Sequence, residues 1–461
     1  MNENVLKDPT IPVADGVPLL GSAVSMLRNP LQFLRQQQAK QGPVFRVKAG
    51  PRELVILSGW DAVKFMNEDG KDCFVSNEFW GKLTRFWQCP HFLSAMDGSE
   101  HIEVRRNFKS SMVRGAAIER QEDIIRIVRD TVASYTEQGD TVSARSLTRT
   151  LTNSELFLLM TGNWPTVEPS VARSIAEYQR ITFNVLVLGK WPRLMLLSPW
   201  YLWHKRQSFK FVRELQQQFE TSPPTSGFFK AVMDIKGKMP GFTPGDYDFM
   251  FLAPFWAGLD TLGAGLTFLL REVVENPQAT ARLITELDQA VLEHGGIPDA
   301  ETLRKLPELF GFCMEILRLY PVAFGNGRSA SKDFEFSGYK IKKGENLLVF
   351  TTSTHFDEAF FPNPECFDPR RYDKEHNQHR QRYAFNPFGR GPHICLGAGM
   401  AESMMLTTVA TLLSEYNISA AEPGKHYDMI FDPSPTLSDR FKVRIQKRHS
   451  NVPTDNSKTS G

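Results

Sequence analysis

Cysteine is scarce in this 461-residue chain. There are five, Cys73, Cys89, Cys313, Cys366 and Cys395, odd in number, widely spaced and without a C-x-x-C pair. That argues against a disulfide framework or a zinc ribbon and suits a reducing compartment. Net charge is nearly absent too. Lys+Arg 54 against Asp+Glu 52 leaves +2, whereas a nucleic-acid partner calls for a concentrated basic face. No apolar segment follows the polar opening MNENVLKD, so no targeting signal is expected and the cytoplasm is the expected location. Internal repeats and low-complexity linkers are also missing. Phenylalanine is what abounds, 34 residues against 10 Tyr and 8 Trp, which favours large apolar cores or cavities. With 41% hydrophobic and 23% charged residues, a large buried core is within reach.

Along the chain, Asp8 to Gly21 is rich in Pro and Gly and reads as an extended leader wrapping onto a domain. Strand-like runs follow at 44–47 and 54–57. Residues 100–320 are mainly helical in period, and strand character returns at 334–341, 346–351 and 441–445. Strands at both ends of a long helical block predict one mainly α domain with small β-sheets (α+β) over 10–447. A polar leader (1–9) and a disordered tail (448–461) flank it.

Phe249 to Leu270 holds 22 residues and one charge, Asp260. It is long enough to span a bilayer. A central Asp costs roughly 2.5–3.5 kcal/mol there, and Pro254, Gly258, Gly263 and Gly265 weaken an isolated helix. Thr243-Pro244 is a helix start and Asn276-Pro277 a stop. The reading is a helix of about 33 residues, roughly 50 Å long, buried in the core.

The most informative segment is Phe388 to Gly397, F-G-R-G-P-H-I-C-L-G, followed by a helical pattern from Ala398. Glycines permit a tight loop with free N–H groups near the sulfur. A cysteine at a helix start feels the positive dipole end, which favours thiolate, and thiolate is the haem ligand that promotes O–O cleavage. The chain here resembles the cytochrome P450 family, whose haem loop F-x-x-G-x-x-x-C-x-G is matched in full. The resemblance extends over roughly residues 10–447 and implies that family's fold, with a long central helix over haem b.

It also assigns roles. Cys395 would ligate the iron, with Phe388 and Gly389 forming the loop. Glu315 and Arg318 fit E-x-x-R, and Arg371 fits the third member of that structural ion pair, although Arg370 and Tyr372 replace the family's usual neighbours. Ala257-Gly258-Leu259-Asp260-Thr261 fits the family's A/G-G-x-D/E-T motif. Asp260 and Thr261 would relay protons as O2, the co-substrate, is activated, while Gly258 opens a groove on the haem face. His101, Arg105, Arg328 and His393 would bind the propionates.

By position, the substrate pocket would be lined by Phe79, Trp80, Phe86, Trp87, Phe92, Phe255, Trp256, Val322, Ala323, Phe324 and Pro435 to Leu437. The substrate is then a hydrophobic small molecule: a lipid, terpenoid, steroid or similar. Residues 183–203 read as a lid covering the pocket, the alternative being a segment that dips into a membrane surface as a peripheral contact. Arg105, Arg106, Lys109, Arg380, Arg382 and Arg390 would form a positive face for a ferredoxin or flavodoxin-type donor with its NAD(P)H reductase. The expected protein is a monomer, without nucleic acid or a transmembrane anchor. Its expected reaction is hydroxylation of an apolar C–H bond. The alternatives are a haem-thiolate binding protein, a peroxide-driven oxygenase and a haem-free helical membrane protein.

Overall fold

The computed structural model describes residues 10–49, 52–137, 139–164, 169–224 and 226–448. The leader over 1–9 and the tail beyond 448 lie outside them. The fold is mainly helical, and among the described residues the strands gather into four small sheets. In chain order the strands are β1 (Val44–Ala49), β2 (Arg52–Ser58), β3 (Phe74–Val75), β4 (Thr141–Ser143), β5 (Asn326–Ala330) and β6 (Phe334–Phe336). They continue with β7 (Tyr339–Ile341), β8 (Asn346–Phe350), β9 (Tyr416–Ala420), β10 (Met429–Phe431), β11 (Pro435–Leu437) and β12 (Lys442–Lys447). The largest sheet runs β1-β2-β8-β5-β3, with β2 and β8 parallel and the other pairs antiparallel. The others are β4-β12-β9 and the hairpins β6-β7 and β10-β11.

The central helix runs Pro244–Glu275, 32 residues, bounded by Thr243 and Asn276 as the sequence predicts. Thr243 and Asp246 close a full capping box, a device in which two end donors are satisfied reciprocally. Pro254 sits inside the helix, at a cost of about 3 kcal/mol. Burial outweighs it: Phe251, Leu252, Phe255 and Phe268 are fully enclosed. Among the described residues this is the one helix long and apolar enough to cross a membrane, and 72% of its apolar window is buried within the protein.

The central helix packs along the helix Ala144–Thr161. The expected groove at Gly258 is filled by that neighbour: a Cβ at Gly258 would stand 2.8 Å from Leu156 Cδ1. Close helix approach is therefore what this glycine serves. Further along the same neighbour, Glu155 is fully buried against the helix Ala398–Glu415. Thr408 Oγ1 donates to its Oε1 at 2.7 Å, and Oε2 has no partner. Burial pushes its pKa up to about 8, opposed by the Thr408 bond. Since the folded value lies above the unfolded one, the protonated residue is tolerated in full at acid pH. Stability then falls as pH rises through about 8. Glu155→Gln is expected to remove this slope. In urea unfolding, its stability advantage over wild type should widen from pH 5 to 8 and then level off.

Two aromatic and aliphatic clusters flank the central helix. One takes in the central helix from Phe249 to Leu259, the other the same helix from Leu266 to Val273 together with the strands β11 and β12. Leu437 is wholly buried in the second. Phe255 packs on Phe211 and Phe229, with centroids 5.5 and 6.2 Å away. Both were expected in a substrate pocket. The helical turn and the strand pleat aim them into solid core instead.

Candidate active site

The loop 386–397 positions Cys395 just ahead of the helix Ala398–Glu415. Gly389 and Gly391 have φ of +70° and +79°, a region side-chain-bearing residues avoid. The turn closes with Cys395 N donating to Phe388 O at 2.9 Å. Arg105 donates to Ile394 O. Cys395 is accessible, yet protein atoms around it push its thiol up, against the Gly397 N–H and the Arg105 charge. A helix start by itself favours the thiolate. Desolvation outweighs it in the protein alone, and a metal cation is what would secure the thiolate. Cys73, Cys89 and Cys313 are buried, and burial raises each thiol.

The loop hangs on a buried ion cluster. Glu315 and Arg318 are fully buried and paired through two bonds of 2.7 and 2.8 Å. Glu315 also accepts from Arg371 Nε at 3.1 Å, Tyr372 OH at 3.1 Å and Asp368 N at 3.0 Å. The hydroxyl of Tyr372 is thus part of the cluster, which the sequence did not disclose. Arg318 donates to the carbonyls of His355 and Pro364. His355 Nε2 then accepts from Asn386 N at 2.8 Å, and Gly389 N donates to Asn386 O. A continuous chain of bonds therefore runs from Glu315 to the cysteine loop.

The four expected anion-binding residues come together. The rings of His101 and His393 stack at 4.1 Å. Arg328, on β5, is buried and makes one bond, to Gly327 O. Burial pushes it down to about 10, with Asp97 opposing. Burial, then His393 and Arg105, holds His101 at about 4, and its Nε2 is buried without a partner. One carboxylate stands among them, Asp97, 3.6 Å from His393 Nε2 and bonded to the N–H groups of Ser76 and Asn77. No sequence signal pointed to Asp97. Basic groups left short of anions beside an accessible cysteine fit the two carboxylates of haem.

The central helix presents an accessible face in an otherwise buried run: Ala253, Ala257 and Thr261, one turn apart. Thr261 Oγ1 donates to Ala257 O at 2.7 Å. Asp260 lies about 100° round the helix and is engaged by Arg149, which donates to Oδ1 at 2.6 and 3.1 Å. Its Oδ2 is buried and unpartnered. Arg149 was invisible in the sequence, because nothing marks a cation 111 residues away as a partner.

Trp80, Trp87, Phe92 and Trp256 meet in one aromatic assembly, joined by Phe183 and Phe249. Phe86 lies apart under Lys205 Nζ, 5.4 Å from its ring centre. Phe79 packs at Gly327. Ala323 is exposed, while Val322 and Phe324 are half-buried, the last packing on Phe350. Of the six basic residues expected on the cysteine side, Arg106, Lys109, Arg380 and Arg382 are exposed. Arg382 pairs with Glu68 at 2.7 Å, and Arg390 turns inward to Asn386.

Known proteins are similar to this chain. A sequence profile described as Cytochrome P450 matches residues 11–438. Cytochrome P450 120 of Synechocystis sp. is 25% identical over 452 residues, covering 94% of this chain and 96% of its own. A sterol 14alpha-demethylase of Mycolicibacterium vanbaalenii is 32% identical over 247 residues, 52% of this chain and 54% of that one. Among solved structures, retinoic acid bound cyanobacterial CYP120A1 superposes with a TM-score of 0.81 at 22% identity, covering 96% of this chain and all of that one. Nearly the whole described chain is matched, and this protein belongs to the cytochrome P450 family of haem-thiolate monooxygenases.

Proposed function

We propose that Cys395 ligates the haem iron and that the enzyme hydroxylates an apolar C–H bond with electrons from a separate ferredoxin- or flavodoxin-type donor. The observation that carries this reading is the cluster of His101, Arg105, Arg328 and His393 beside the cysteine loop, with His101 Nε2 buried and unpartnered. When bound, the haem supplies the oxygen-activating chemistry. The chain supplies the rest. His101, Arg105, Arg328 and His393 hold the carboxylates, the glycine loop fixes the sulfur, and the aromatic assembly excludes water from the substrate.

Thr261 Oγ1 offers a hydroxyl on the accessible face, and Asp260 holds the proton store behind it. The six-ring assembly contains no ionised group, which supports an apolar substrate such as a terpenoid, steroid or lipid. A sterol demethylase and a beta-amyrin 28-monooxygenase among the relatives agree with that class. Exposed Arg106, Lys109 and Arg380 support docking of an acidic donor. Leu194, Leu197, Trp200 and Trp203 are exposed in and beside the lid near Lys190 and Arg193, which supports a peripheral membrane contact by a cytoplasmic protein.

The test is Thr261→Ala in the reconstituted system. Product formed per NAD(P)H consumed is expected to fall about tenfold or more, with the balance released as peroxide. Full coupling in that variant would overturn the proton role and favour a peroxide-driven oxygenase.

A further inference from the structure

Asp260 presents a problem of supply. Arg149 occupies Oδ1, and Oδ2 is buried without a partner. Each proton the carboxylate passes toward Thr261 has to be replaced. The six rings of the aromatic assembly carry no hydroxyl of their own, and Thr261 already donates to Ala257 O.

On the other side of the helix lies a cavity of about 10 Å³, lined by Arg145, Arg149, Asp260, Asp432, Ser434 and Thr436, with Gly263 and Ala264. That is room for about one water molecule, in a lining polar enough to give it several bonds. The last three polar residues belong to the hairpin β10-β11 and its turn. The turn is held in place from the lid and from the helix just before it. Asp432 Oδ2 accepts from Arg180 at 3.1 Å and its Oδ1 from Asn184 at 2.9 Å. Its side chain is 30% exposed, so the cavity lies close to the surface.

The lining also narrows the possible carriers. Arg145, 3.7 Å from Asp439, and Arg149 offer donors only, and a guanidinium has no acceptor. Both oxygens of Asp432 are already accepting. Beside these groups stand the hydroxyls of Ser434 and Thr436, with room for a water.

We propose that the hairpin β10-β11 is the proton inlet of Asp260: one water, held between Asp260 Oδ2 and the hydroxyls of Ser434 and Thr436, links the carboxylate to solvent. The water gives a proton to Asp260 and takes one from bulk water, so charge balances and no electron moves. The inference rests on the acid role of Asp260 proposed above.

The experiment uses the haem-loaded enzyme with its reductase system. A crystal structure at about 1.5 Å is expected to show a water within hydrogen-bond distance of Asp260 Oδ2. The Ser434→Ala/Thr436→Val double variant should lower product per NAD(P)H about two- to tenfold and raise the solvent deuterium isotope effect, with the substrate-induced spectral shift unchanged. Asp260→Asn runs alongside. A slowed Asp260→Asn enzyme beside an unchanged double variant overturns the inlet alone. An unchanged Asp260→Asn enzyme overturns the acid role and the inlet with it. A dry cavity in the crystal structure overturns the inlet whatever the rates.

Discussion

Replacing Cys395 by Ser is expected to abolish oxygenation, by more than about a thousandfold, while leaving the fold intact. The fold should survive because the side chain is accessible and the loop is held by backbone bonds, Cys395 N to Phe388 O and Gly389 N to Asn386 O, which serine keeps. The activity should not, because a hydroxyl near neutral pH offers no thiolate. The measurement is an absorption spectrum of the reduced protein under carbon monoxide. Wild type should show a strongly red-shifted Soret band, and Cys395→Ser should lose it with its thermal midpoint little changed. A red-shifted band that persists in the variant would mean that another cysteine is the ligand. Among the described cysteines only Cys366 is comparably accessible.

The second large effect is on stability. Glu315→Ala should cost about 3–5 kcal/mol, because it strands two buried guanidinium groups, Arg318 and Arg371, without their anion. Against a total of roughly 5–15 kcal/mol that is a large share of the stability. The loss should appear as poor soluble yield and a collapsed urea midpoint. Tyr372→Phe, which removes one hydroxyl from the same carboxylate, should cost only about 1 kcal/mol and keep the enzyme soluble. Equal midpoints for Glu315→Ala and wild type would contradict the cluster's role as the anchor of the cysteine loop.

How legible the sequence was depended on what each residue answers to. The central helix was readable to within a residue at its caps, because Thr243, Pro244, Asn276 and Pro277 act through local backbone chemistry. The third partner of Glu315 was readable too, even with Arg370 and Tyr372 out of pattern, since Arg371 keeps its spacing. Contacts between distant elements were not. Arg149 meets Asp260, and Asp97 meets His393, through helix packing and loop closure that no local pattern encodes. Pocket residues divided along the same line. Trp256 faces the aromatic assembly while Phe255, its neighbour in sequence, is buried on the far side. A motif position fixes a place along a helix, and the remaining 100° per residue is set by what packs around it.

The largest sheet carries a consequence for the birth of the chain. β2 pairs in parallel with β8, Val55 against Leu347, a gap of about 290 residues. A ribosome adding roughly 5–20 residues per second needs about 15–60 s to cover that distance. Through that interval the hairpin β1-β2 waits with an unpaired strand edge and with Val44, Val55 and Leu57 lacking the Leu347 and Val349 that cover them later. Such an edge is a template for pairing with other chains. Slow synthesis or scarce chaperone should therefore harm yield first through residues 44–58, far from any catalytic group.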